Sequence, residues 1–348
     1  MHNRSGIIRL LSASIICLAV ILYSGYDMFF YKSNGNPLNI MNITPQSFDY
    51  TDFPTIQLEN ISTETNTKTQ NTSSEEPTQS VTAGSNATVA GKVLEKFISP
   101  YTANTSYNGI YLKNSTNLDI NLKSLYESQL PYKIEKNGTP QVLIVHTHTT
   151  ESFLTESRNY YTDADLTRTL DEEYNMVKLG NIIEEKLNSA GIKTLHDHTT
   201  HDYPAYNGSY TRSADTIKSY LKKYPSIKIV IDLHRDAISG GGTDKVKPVV
   251  EINGKKAAQV MIVMGSQSGS VTNYPNWQEN LKLAVKLQKQ LEGMYPSLAR
   301  SISLVSKIYN QNLTKGSILV EIGTEVNSID EVSYSAELVG NALIGVLA

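Results

Sequence analysis

Three short apolar runs in the second half of this sequence each end in residues that bind metals or move protons. Val142-Leu143-Ile144-Val145 leads into His146-Thr147-His148, with Glu151 just beyond. The run from Ile227 to Leu233 leads into His234, followed by Arg235-Asp236. Ile318-Leu319-Val320 leads into Glu321. In open α/β sheets, ligands sit outside the carboxyl ends of parallel strands. Strand ends bearing His, His and Glu therefore point to one shared site. Imidazole plus carboxylate suits Zn²⁺, and a bound zinc ion lowers the pKa of water so that a neighbouring carboxylate can take its proton. The chemistry expected is that of a metal hydrolase.

Residues at i and i+2 on a strand share a face. His146 and His148 would therefore approach one ion together if the strand runs through both; otherwise one is a ligand and the other supports it. Glu151 adds an oxygen donor within loop reach. His234 is the ligand expected from the second run, and Asp232 would orient a histidine from behind. Glu321 lies between Val320 and Ile322, where burial should raise its pKa toward the range useful to a general base. Each residue also has a plainer reading: hydrogen-bonded histidines, a salt-bridged strand end, a carboxylate paired with Lys or Arg. Substrate contacts are expected from His201, in the segment His196-Asp197-His198-Thr199-Thr200-His201, and from Arg235, Asn310 and Gln311. Tyr203, Tyr206, Tyr210 and Tyr274 are further candidates, for stacking on sugar or peptide.

The elements that must position these residues follow from periodicity. Residues 142–146, 192–195, 227–234, 303–308 and 318–322 read as strands. Helical spacing marks 170–190, 212–223 and 276–294, with Gly191 placed to end the first. Asn253-Gly254 is a type I′ turn pair that should join strands at 246–252 and 258–264. Ser328-Ile329-Asp330-Glu331 is a capping box opening a last helix. Alternation of strand and helix predicts an α/β fold, a mostly parallel sheet with helices on both faces. No glycine-rich phosphate loop or dinucleotide fingerprint is present.

The other half of the chain reads differently. Arg4 and Arg9 precede an apolar run from Leu10 to Tyr23, the pattern of a signal anchor, so residues 1–33 are expected to form an N-terminal transmembrane helix. Residues 34–88 are rich in Asn, Thr, Ser and Gln and are expected to be a disordered tether. Residues 89–140 are ambiguous, with short helices packed on the catalytic domain as one reading, and that domain is expected over 141–348. The single cysteine, Cys17, lies in the apolar run, which excludes an internal disulfide. A net charge of −3 with no basic stretch argues against nucleic acid.

Several motifs together resemble the stage II sporulation protein P family: Val-Leu-Ile-Val-His-Thr-His-Thr-Thr-Glu-Ser-Phe from Val142, His-Asp-Tyr-Pro-Ala-Tyr-Asn-Gly-Ser-Tyr from His201, Ile-Asp-Leu-His-Arg-Asp-Ala from Ile231, Tyr295 to Arg300, Tyr309 to Gln311, and Leu-Val-Glu-Ile-Gly-Thr from Leu319. That family is similar to zinc-dependent N-acetylmuramoyl-L-alanine amidases. The resemblance implies an amidase-like fold and cleavage of peptidoglycan during forespore engulfment. It also implies stem-peptide endopeptidase activity, partnership with sporulation proteins D and M, and a place between the mother-cell and forespore membranes. Carried onto this sequence, it makes His234 a zinc ligand, Glu321 the catalytic glutamate, and His146 or His148 the first ligand. The wider amidases place a ligand glutamate at the start of the first long helix, where Glu172 and Glu173 stand here; Glu151 competes with them. Two other functions remain: a zinc metallopeptidase cutting only peptide cross-links, and a non-catalytic wall-binding scaffold.

Overall fold

The computed structural model describes residues 87–348, together with two short paired strands, β1 (Lys32–Ser33) and β2 (Asn36–Pro37). The latter belong to a separate N-terminal unit, Met1–Thr44. The expected anchor (1–33) and tether (34–88) otherwise fall almost wholly outside the described residues. Among those described, no helix is long and apolar enough to cross a membrane.

In chain order the strands that follow are β3 (Val89–Lys96), β4 (Thr105–Tyr107), β5 (Ile110–Asn114), β6 (Val142–Val145), β7 (Tyr160–Thr162), β8 (Thr194–His196), β9 (Ile229–Asp236), β10 (Ser239–Gly241), β11 (Asp244–Ile252), β12 (Lys255–Ala258), β13 (Val260–Gly265), β14 (Ile302–Val305) and β15 (Ser317–Thr324). The helices are α1 (Leu122–Glu127), α2 (Met176–Ser189), α3 (Ser209–Lys223), α4 (Trp277–Met294) and α5 (Ile329–Leu347).

An eight-stranded sheet in the order β4-β5-β14-β13-β15-β9-β6-β8 carries the site. Its middle is parallel: β15 pairs with β9 and β9 with β6, placing Glu321 beside His234 and Asp232 beside Val145. All four residues of β6 and all eight of β9 and β15 are buried. One face packs against α1, α2, α4 and α5 through a large core that includes Ile144, Leu179, Ile183, Ile231, Leu287, Val320 and Val339. The other face meets α3 through Leu143, Val145, Val230 and Ile217. Helices therefore cover both faces, as alternation implied.

The sheet is mixed rather than mostly parallel, which corrects the sequence expectation. β13 runs antiparallel to β15, and β4 antiparallel to β5. The apolar run 258–264 is not one strand: β12 closes the hairpin on β11 through Asn253 and Gly254, both at positive φ (51° and 75°). β13 then leaves for the large sheet. Residues 89–140, ambiguous in sequence, supply one short helix, α1, packed on the core, and three strands. β3 pairs parallel with β11 and antiparallel with β7 in a second sheet, while β5 pairs with β14 in the first.

Helix starts follow local chemistry. Ser328 and Glu331 form the reciprocal capping box of α5. α2 begins at Met176 rather than near 170, because the Asn175 side chain accepts from Val177 N and caps it there.

A buried histidine–carboxylate centre

β6 stops at Val145, and this decides the fate of its histidines. His146 keeps the Ile144 face. Its Nε2 lies 2.7 Å from His196 Nε2, its Nδ1 lies 3.2 Å from Leu233 O, and Gly180 of α2 packs on the pair. The chain then turns through threonines. Thr147 donates from its N and Oγ1 to Asp232 (2.8 and 2.7 Å), and Thr150 Oγ1 donates to Asp202 (2.7 Å). This turn carries His148 to the α3 side, where its ring stands 5.1 Å from that of His234, edge to face. The structure thus separates the two histidines instead of aiming both at one place.

Around His234 the carboxylates gather. Glu151 Oε2 is 3.6 Å from His234 Nδ1 and also accepts from Arg235 N (3.2 Å). Asp232 Oδ1 is 3.0 Å from His234 Nε2, an ion-pair contact, and that buried nitrogen makes no other bond. Glu321 Oε2 is likewise buried and unpartnered. Burial would lower the His234 pKa, yet Asp232, Glu151 and Glu321 outweigh it and raise it to about 9. These carboxylates favour a positive charge at this place, which a proton or a metal ion can supply. Burial, aided by Asp236, raises Glu321 to about 8 against the pull of His234 and Arg300. Asp236 is itself held by Arg300 Nη1 at 2.8 Å. Burial first, then His234 and Arg168, keep His148 neutral, well below the ordinary imidazole value.

Tyr206 covers this cluster. Its ring stacks on His148 at 4.6 Å, and its hydroxyl lies 3.2 Å from His148 Nε2. Arg168 sits over the Tyr206 ring, pairs with Asp202 and stands 3.6 Å from Glu151. Sequence reasoning missed Arg168, since nothing in its neighbourhood marks it.

His148, His234 and Glu151 are donors of the kind zinc takes, and the orphaned His234 Nε2 and Glu321 Oε2 mark a place built for a polar occupant. Among the described residues, no three His, Cys, Asp or Glu side chains stand close enough together to hold an ion as they are. The gap is at His148, whose nitrogens face Tyr206 Oη and Ser209 Oγ (3.4 Å). Glu172 and Glu173 stand apart: Glu172 meets His198 at 3.3 Å and Glu173 pairs with Lys178, both in exposed positions.

The residues expected to contact substrate make hydrogen bonds within the domain. His201 Nδ1 bonds the His146 carbonyl (2.8 Å) and its Nε2 lies 2.9 Å from Thr216 Oγ1. Arg235 donates to the carbonyls of Ser152, Asp236 and Thr167, clipping the 151–167 loop to β9. Asn310 donates to Tyr210 O and Ser213 Oγ. Gln311 is buried, bonded to Val263 O, Gly265 N and the fully buried Tyr274 hydroxyl. A polar loop residue that closes its hydrogen bonds internally looks, in sequence, the same as one that offers them to a ligand.

Fold and site together define a mixed α/β domain with a buried histidine–carboxylate centre at the carboxyl ends of its middle strands. The chain belongs to the Stage II sporulation protein P (SpoIIP) family, whose model matches residues 37–344. Stage II sporulation protein P of Bacillus subtilis (strain 168) is 30% identical over 206 residues, which is 56% of this chain and 48% of that protein. The chain thus spans about half the length of the curated relative it matches. Among solved structures it is similar to the N-acetylmuramyl-L-alanine amidase Ami1 from Mycobacterium abscessus, with TM-score 0.35 and 15% identity over 60% of this chain and 100% of that one. It is also similar to the CwlD amidase from Clostridioides difficile, solved in complex with the GerS lipoprotein, with TM-score 0.36 and 12% identity over 59% and 95%. Likeness at that level decides nothing about activity.

Proposed function

We propose that this protein is a zinc-dependent peptidoglycan hydrolase that cleaves the N-acetylmuramoyl-L-alanine amide bond. The observation that carries the reading is the pair of buried, unpartnered atoms, His234 Nε2 and Glu321 Oε2, beside His148 and Glu151. Family membership supports it. His148, His234 and Glu151 would hold the ion, with His146 left to its partner His196. Bound zinc supplies a Lewis acid and an acidified water. Glu321 takes a proton from the attacking water and returns it to the leaving nitrogen. Its raised pKa places it near neutrality, where a general base works best. Asp232, held by Thr147, stands 3.0 Å from His234 Nε2 and adds its negative charge to the centre. Tyr206 and Arg168 lie over the cluster, so substrate entry requires them to move.

Anchoring by residues 1–33, action between the two membranes in engulfment, and partnership with sporulation proteins D and M complete the reading. Those elements rest on the sequence resemblance. Stem-peptide endopeptidase activity is the second reading, since the same centre activates water toward any amide. Digestion of purified peptidoglycan with the full chain, with and without chelator, separates these. Free stem peptides beginning at alanine are expected, and chelator should abolish them. Cleaved cross-links alone would make the protein a peptidase, and intact wall a scaffold.

A further inference from the structure

Three buried atoms without a hydrogen-bond partner belong to this centre: His234 Nε2, Glu321 Oε2 and the hydroxyl of Tyr210. The first two have roles above; the third does not. Tyr210 lies in the first turn of α3, and its ring is held on several sides. It meets His148 edge-on at 5.6 Å, lies 5.9 Å from Tyr309, and packs on the Met261–Val263–Leu319 cluster. Its carbonyl accepts from Asn310 Nδ2 (2.8 Å) and Ser213 Oγ (3.2 Å). A ring fixed in this way cannot swing its hydroxyl out to water. An unpaired buried donor is unfavourable, and in a native protein it calls for an occupant that satisfies it.

The other donors nearby are committed. Tyr206 Oη is on His148 Nε2. Arg235 donates to three carbonyls, and Arg168 holds Asp202. Thr147 donates to Asp232. A phenol keeps its proton at neutral pH, so the group is an O–H donor beside the carboxylates that gather around His234.

We propose that Tyr210 is a catalytic residue whose hydroxyl donates to the carbonyl oxygen of the scissile amide as that oxygen becomes an oxyanion. The step deepens the hydrolase reading and rests on it. Water forms the new C–O bond, its proton passes to Glu321, and the carbonyl π pair moves onto oxygen, where Tyr210 receives it in a hydrogen bond. On collapse the pair returns, the C–N bond breaks, and the Glu321 proton goes to nitrogen. Tyr210 keeps its own proton throughout. Preorganised donors aimed at developing charge are among the strongest sources of rate enhancement in acyl transfer.

The test is Tyr210→Phe in the zinc-loaded full chain, which keeps the ring and removes only the hydroxyl. Loss of one oxyanion donor should lower kcat by about 10²–10³-fold. KM, zinc content and melting temperature should stay at or above the wild-type level, because the atom removed makes no bond in the protein. A kcat within about threefold of an active wild type, against the 10²–10³ expected, would overturn the role of Tyr210 alone. A rate loss matched by loss of zinc or of stability would also overturn it, in favour of a structural role. An inactive wild type would instead refute the hydrolase reading itself.

Discussion

Replacing Gly180 by alanine tests which histidine belongs to the metal centre. In an exposed helix interior this change stabilises by about 1 kcal/mol. Here a Cβ on α2 would stand 2.3 Å from His196 Nε2, 2.4 Å from its Cε1 and 2.9 Å from His146 Nε2. The His196 side chain is 1% exposed, so the ring has nowhere to go. Overpacking of that kind costs about 1–3 kcal/mol. Forcing the rings apart breaks the His146–His196 contact and strands a buried nitrogen, about 1–3 kcal/mol more. Setting the helix gain against these leaves a loss of roughly 1–5 kcal/mol. At about 2–4 °C per kcal/mol for a domain this size, the melting temperature should fall by roughly 2–20 °C. Zinc content and activity measured below the transition should survive, since His148 and His234 lie on the other face of the sheet. A rise in melting temperature would show that the histidine pair does not pack on Gly180. A folded variant without zinc would move the first ligand from His148 to His146.

Metal-free protein should lose stability on mild acidification. Burial holds His146 and His196 neutral, with pKa values of about 3 and about 2, and holds His148 neutral as well. The unfolded chain protonates all three near 6.5, so their contribution is complete above that pH and is lost as pH falls. Glu321 and His234, protonated in the fold up to about 8 and about 9, work the other way. The net of about one proton at roughly pH 6, rising to about two at roughly pH 5, gives about 2 kcal/mol over that pH unit. Denaturant titrations in chelator measure it, and a flat profile would mean that these imidazoles are not buried neutral. Separately, Arg235→Met should destabilise by about 3–5 kcal/mol, as when one partner leaves a buried charged network. Unchanged denaturation together with a raised KM would return Arg235 to substrate binding.

Much of this was legible in the sequence where the signal is local. The Asn253-Gly254 turn and the Ser328 capping box occur where their chemistry placed them. The three strand ends were visible as apolar runs closed by His or Glu, and β6, β9 and β15 do lie side by side in parallel. What was hidden depends on distant partners. β3 finds β11 across a long stretch of chain, and β13, which opens at Val260 after β12 has closed its hairpin, runs antiparallel to β15. The two-residue period would have kept His146 and His148 together only in a strand that continued. Thr147 and its hydrogen bonds to Asp232 end it, and no periodicity reports that. Asn310 and Gln311 read as site residues because loops carry function, but their amides close on the chain's own backbone.

The most direct test of the account is Glu321→Gln in the full chain, with zinc and peptidoglycan hydrolysis measured on the same preparation. The side chains are nearly isosteric and the strand end should stay packed. One zinc per chain should remain, while hydrolysis falls by about 10²–10⁴-fold, the usual worth of a general base. Full activity in this variant, or loss of zinc together with activity, would contradict a centre in which His148, His234 and Glu151 hold the ion and Glu321 moves the proton.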